Sequence, residues 1–238
     1  MAENRMTIRK ITPAIYYVEY KERFSMARAL MRLSEYYDSP HFKGKIFGSE
    51  ELIKWYISNS KKGKETGKFT YYDDWEGFNF PSEILEPFYH GKFDPLNTEE
   101  KELLESFREK IEAGEKFYII ATALDIFTKE VFQHELAHAF FYMNSSYKSQ
   151  ALDILGELSN SNLKILRDYV NSIHGIGYAE ERITDEIHAY LITYDDVKAE
   201  GLDYPEFRKV HEKLISLLNR FYETEGNGEF SPYFNSTI

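Results

Sequence analysis

Apolar positions along the chain follow two different periods, unevenly distributed. Runs rich in β-branched and aromatic residues occur in the first half, at Ile15–Tyr20 (IYYVEY) and at 116–123 (KFYIIATA), and both read as strands. Helical spacing dominates elsewhere. Residues 22–37 repeat Phe24, Ala27, Leu30, Met31 and Ser34 at helical intervals, and Pro40 stops them. Ser49 reads as the N-cap of a short helix over 50–58. The run Asn97-Thr98-Glu99-Glu100 is a capping-box start for a helix to about Ala113, closed by Gly114. Beyond Met143, apolar residues recur at i, i+3 and i+4 over 146–158, 162–173, 178–197 and 205–222. Residues 59–68 are polar and basic and read as an exposed loop, and the tail from Gly226 reads as loose. The pattern predicts an α+β protein, mostly helical, with a small antiparallel sheet in the first half and a helical second half. It is read as one domain over 1–238. Residues 1–115 form an aromatic-rich N-terminal half, and 116–225 form the core.

One helix departs from the amphipathic norm. Residues 127–143, FTKEVFQHELAHAFFYM, are apolar on every side. At about 100° per residue, Phe127, Val131, Ala137 and Phe141 share a side with His134 and His138, and Phe132, Leu136, Ala139 and Met143 cover the opposite side. A helix apolar all round is a buried one, so this helix is expected to be central. Asp125 or Thr128 caps it. His134 and His138 are four residues apart and therefore one turn apart on the same face, able to grip one metal ion. Glu135 lies about a quarter-turn round, within reach of a water on that metal. Two histidines and a glutamate in an apolar setting need partners, and a metal supplies them.

Composition narrows the chemistry. There is no cysteine, which excludes disulfides, thiolate metal ligands and cysteine nucleophiles, so a zinc site must use His, Asp or Glu. The net charge of −11 argues against nucleic acid or an anionic membrane as partner. No window approaches the length of a membrane span and the N-terminus has no apolar signal core, so a cytoplasmic protein is expected. The sequons at Asn144 and Asn235 are then read as chance. GKETGK at 63–68 resembles a phosphate-binding loop, but it is one residue short and Phe69 stands where a magnesium-binding hydroxyl belongs. The ring-rich stretch 69–90 has two readings, a segment packed on the core or a wall of a binding cleft lined by Tyr72, Trp75 and Phe78.

A catalytic zinc takes three protein ligands and keeps one open position. HELAH is not followed by a third histidine at the usual short spacing, so the third ligand lies further on. Within 179–194, Ala179, Ile183, Ile187, Tyr190 and Tyr194 form an apolar face with Glu186 at its edge, while Glu181 shares the opposite, solvated side with Thr184 and His188. An acid turned toward a core calls for a metal, which favours Glu186 and keeps Glu181 as the alternative.

HELAH on a helix, followed far downstream by an acid-bearing helix, resembles the zincin superfamily and within it the glutamate-zincins. The resemblance covers two short segments. It implies a zincin-like fold, one Zn2+ held by His134, His138 and Glu186, and Glu135 as the base that activates a zinc-bound water. It also implies a metallopeptidase with a peptide or protein substrate. The strand at 116–123 would be the antiparallel edge strand that pairs with an extended substrate. His174, Tyr178 and Tyr190 are the candidates for stabilising an oxyanion. The group's Glu-x-x-x-Asp spacing falls on Glu181 and Asp185, whereas Glu186 has Tyr190 at that offset; with Glu186 as ligand, Asp185 or Tyr190 is the supporting residue. A non-catalytic binding scaffold and a hydrolase of non-peptide amides are the alternatives.

Overall fold

The computed structural model describes residues 5–230. It is α+β and mostly helical, with four strands, β1 (Met6–Thr12), β2 (Ile15–Tyr20), β3 (Gly77–Pro81) and β4 (Tyr118–Ala123), in the order β1-β2-β4-β3. The sheet is mixed rather than antiparallel. β1 pairs antiparallel with β2, and β3 with β4, but β2 and β4 run parallel, Ile15 opposite Tyr118 and Tyr20 opposite Ala123. A parallel pair needs a long crossover, and residues 21–117 supply it. β4 lies inside the sheet, not at its edge, and all six of its residues are buried. The edge beside it is β3, GFNFP, which the hydrophobic pattern does not announce because Gly and Pro bound it. Proline is tolerated there because an edge strand leaves backbone donors unpaired. β1 at the other edge carries Arg9 and Lys10, charges that discourage further pairing.

Period-2 alternation gives the sheet two apolar faces. Ile15, Tyr17, Tyr118 and Ile120 join one cluster, together with the HELAH helix and most of the second half. Tyr16, Val18, Ile119 and Ala121 join the other, with the first-half helices. On this second face lie α1 (Arg23–Asp38), α2 (Ser49–Asn59), with α3 (Lys61–Thr66) packed against it, α4 (Glu86–Tyr89) and α5 (Thr98–Glu112). The first face is covered by α6 (Lys129–Met143), α7 (Ser145–Leu155), α8 (Asn160–Ser172), α9 (Ile183–Ile192), α10 (Tyr194–Ala199) and α11 (Pro205–Glu225). Phe132, Leu136 and Phe140 of α6 are essentially inaccessible, and each such side chain contributes roughly 2 kcal/mol of burial.

Several boundaries differ from the sequence expectation. Gly48, not Ser49, occupies the N-cap of α2. Part of the expected loop 59–68 is helix α3, because the Ser60 hydroxyl accepts the Gly63 N–H at 3.0 Å and Gly67, at φ 67°, terminates the turn. The expected helix 178–197 is broken into a 3-10 turn, α9 and α10. The break comes at Thr193, whose hydroxyl turns back to the Ala189 carbonyl at 3.4 Å. The capping box of α5 forms as read, Asn97 Oδ1 accepting from Glu100 N and Glu100 Oε2 from Asn97 N, both at 2.8 Å. The tail is not loose over 226–230. Asn227 N–H bonds the Ile11 carbonyl at 2.9 Å, and the Phe230 ring packs on Tyr17 and Phe132. Residues 231–238, with the Asn235 sequon, lie outside the described residues. Among the described residues no helix is long and apolar enough to cross a membrane.

Candidate metal centre

α6 starts where the chain leaves β4. The Thr128 hydroxyl accepts the Val131 N–H at 3.1 Å and caps the helix. Asp125, the other candidate, instead accepts the Arg23 N–H at 2.9 Å and serves the start of α1. From Thr128, α6 runs between β3, β4 and α9. This places His138 in complete burial, His134 half-buried, and Glu186 of α9 beside both at 2 % exposure. One donor atom from each of the three lies within 4.8 Å of the others.

The imidazoles are oriented. His138 Nε2 faces His134 Nε2 at 3.2 Å and Glu186 Oε1 at 3.7 Å. The outer nitrogens face other groups. His138 Nδ1 lies 3.0 Å from Asp185 Oδ1 as an ion-pair contact, with neither atom in a hydrogen bond, and His134 Nδ1 is 3.4 Å from the Thr193 hydroxyl. Two nitrogens on a tetrahedral zinc, each about 2.0–2.1 Å from it, stand about 3.3 Å apart, close to the separation seen here. Glu186 Oε2 is buried with no hydrogen-bond partner. Two imidazole nitrogens, one carboxylate and no thiolate form a donor set that suits zinc.

Acidic groups predominate at this point. Asp38, Glu135, Asp185 and Glu186 are all buried here, and Arg182 is the fixed positive charge among them. Burial pushes Glu186 up to about 8 and Glu135 up to about 7. Burial and the neighbouring His138 push His134 well below its ordinary value. Burial acts in the same direction on His138, but Asp185 and Glu186 outweigh it and raise that ring to about 9. Burial acts upward on Asp185 as well, but His138 and Arg182 outweigh it and hold that carboxyl well below its usual range.

Glu135 is held from the sheet side. The Asn79 amide of β3 donates to Glu135 Oε2 at 2.8 Å, and the Tyr118 hydroxyl donates to Asn79 Oδ1 at 2.6 Å. Gly77 lets the strand come this close, since a Cβ there would lie 2.7 Å from the Glu135 carboxylate carbon. The sequence reading missed Gly77 and Asn79. Their signal is faint: positions 77 and 79 alternate with Phe78 and Phe80, which join the opposite cluster.

Glu181 is on the surface, paired with Lys43 at 3.0 Å. Thr184 is exposed beside it, but His188, expected on the same solvated side, is fully buried. Its Nε2 meets the Tyr147 hydroxyl at 2.9 Å, a partner contributed by α7 and therefore invisible to helical periodicity. Tyr178 and Tyr190 bring their hydroxyls within 3.3 Å of each other, and the Tyr190 ring stacks edge-on to His134 with centroids 4.7 Å apart. Burial raises both phenols far above their usual range, so both remain O–H donors.

The triad opens into a cavity of about 760 Å³. Trp75 and Phe78 line it, as the cleft-wall reading of 69–90 expects; Tyr72 does not, and packs on Phe24 instead. Trp75 meets His174 edge-on, ring centroids 4.5 Å apart, and both line the cavity. Compared with family models, curated proteins and solved structures, the chain matches none.

Proposed function

We propose that the protein is a zinc-dependent hydrolase, a metallopeptidase whose zinc is held by His134, His138 and Glu186 and whose general base is Glu135. The observation that carries this reading is the facing pair of Nε2 atoms at 3.2 Å, with an unpartnered, buried Glu186 oxygen alongside. When bound, zinc supplies a Lewis acid that polarises a carbonyl and lowers the pKa of a water toward about 7.

The chain's own groups do the rest. Glu135 lines the same cavity as His134, His138 and Glu186 and is the group that would take a proton from the attacking water and return it to the leaving amine. Asn79 donates to one carboxylate oxygen of Glu135, Oε2, and so orients the group. The Tyr190 and Tyr178 hydroxyls, beside His134 and lining the same cavity, are the O–H donors offered to a developing oxyanion. A peptide substrate is favoured because an antiparallel edge strand, β3, borders the cavity at Gly77, Phe78 and Asn79 and offers an extended chain a pairing surface.

The test is to measure zinc content and hydrolysis of a fluorogenic peptide library together. Wild type should carry about one zinc per chain and cleave members of the library. Glu135→Gln should keep the zinc and lose cleavage. Unchanged cleavage by that variant removes Glu135 as the base.

A further inference from the structure

Arg182 sits in the 3-10 turn ahead of α9 and is 6 % exposed. An arginine this buried is expensive unless its charge is paired and hydrogen-bonded. Nε donates to Asp38 Oδ1 and Nη1 to Asp185 Oδ2, both at 2.6 Å. Nη2 has no hydrogen-bond partner and lies 3.9 Å from Glu186 Oε1. The guanidinium plane covers the Tyr37 ring, 4.4 Å from its centroid. The second oxygen of Asp185 is the one that meets His138 Nδ1 at 3.0 Å. A single guanidinium therefore reaches two of the three candidate ligands, His138 through Asp185 and Glu186 directly.

The far anchor, Asp38, belongs to α1, on the other side of the sheet from α6. It is tied to the same turn a second time, its carbonyl accepting the Ala179 N–H at 2.7 Å. The end of α1 and the start of α9 are thus fixed to each other immediately behind the site. Remove the arginine and Asp38, Asp185 and Glu186 lose their fixed cation, and Asp185 loses the bond that aims its other oxygen at His138.

We infer that Arg182 is a positioning residue of the metal centre: it holds Asp185 against Nδ1 of His138 and holds Glu186 in place, so that His138 presents Nε2 to the metal. The inference rests on reading His134, His138 and Glu186 as a zinc site. Arg182 touches neither metal nor substrate; it acts through the ligands. Lysine supplies the charge without the fork, so it should restore part of the function.

The experiment is zinc affinity, by competition with a chromogenic chelator, on wild type, Arg182→Met, Arg182→Lys and Asp38→Asn. It is run beside the visible spectrum of each cobalt-loaded protein and the thermal unfolding of each metal-free protein. Arg182→Met should bind zinc about 10- to 100-fold more weakly with an altered cobalt spectrum, the usual effect of removing a residue that supports a ligand. Arg182→Lys should fall between it and wild type. Asp38→Asn, which leaves the Asp185 bond intact, should weaken binding less, by roughly three-fold or more. A wild type that takes up no zinc defeats the metal-centre reading itself. A wild type that binds zinc, with a folded Arg182→Met of equal affinity and unchanged cobalt spectrum, overturns only the role of Arg182. If Arg182→Met does not fold, Asp38→Asn decides, and wild-type affinity there overturns the inference.

Discussion

Gly77 on β3 and Glu135 on α6 are in direct apposition, so close that any side chain at 77 would occupy the space of the carboxylate; a Cβ would stand 2.7 Å from Glu135 Cδ. The apposition sets the distance between the edge strand and the candidate base. Gly77→Ala should therefore displace Glu135 while leaving the histidines and Glu186 alone. A misplacement near 1 Å costs about 100-fold in rate, so peptide cleavage should fall on that scale with zinc content unchanged. Steady-state kinetics and elemental analysis of the same preparation check this. Equal loss of zinc and activity would show that the substitution disturbs the whole site.

A second buried acid lies away from the triad. Glu35 of α1 is 3 % exposed, one of its oxygens has no partner, and burial raises it from 4.5 to about 7. Its folded-state pKa lies above its unfolded one, so the folded protein binds the extra proton. Its contribution to stability is complete below about 4.5 and is lost as pH rises through about 7. Glu35→Gln stays neutral throughout. It should remove that decline and exceed wild type by roughly 2 kcal/mol at pH 8, with little difference at pH 4.5. Urea unfolding at the two pH values is the measurement, and a gain of equal size at both contradicts the assignment.

The first-half core is joined by a buried ion pair. Arg32 of α1 donates through Nε and Nη2 to both oxygens of Glu100, at 2.7 and 2.6 Å, and through Nη1 to the Phe93 carbonyl at 2.8 Å. Glu100 also closes the capping box of α5. Arg32→Met leaves a wholly buried carboxylate without its cation and should cost about 3–5 kcal/mol. Zinc content of the remaining folded protein should be unchanged, because the pair lies on the other face of the sheet from α6. Denaturant unfolding measures the first and elemental analysis the second.

What could be read from the sequence follows from the range of the interactions involved. The HELAH helix, its Thr128 cap, the Asn97 capping box and the inward-facing Glu186 all express periodicity or contacts within about four residues, and all are present. β3 was not legible because Gly77 and Pro81, whose presence there depends on α6 and on the free edge, interrupt the strand signal. The parallel pairing of β2 with β4 and the bond from Asp38 to Arg182 join residues more than 100 apart in sequence, and the contact of Asp185 with His138 joins residues from two different helices. His188 was misplaced for the same reason, its partner Tyr147 being 41 positions away. Anchoring of 226–230 depends on β1 and was equally hidden.

The central claim is that His134, His138 and Glu186 hold one zinc. Elemental analysis of folded, purified wild type, Glu186→Ala and Glu181→Ala tests it most directly. Wild type and Glu181→Ala should each carry about one zinc per chain, and Glu186→Ala should lose most of it. A folded wild type without zinc, or zinc retained by Glu186→Ala and lost from Glu181→Ala, contradicts it.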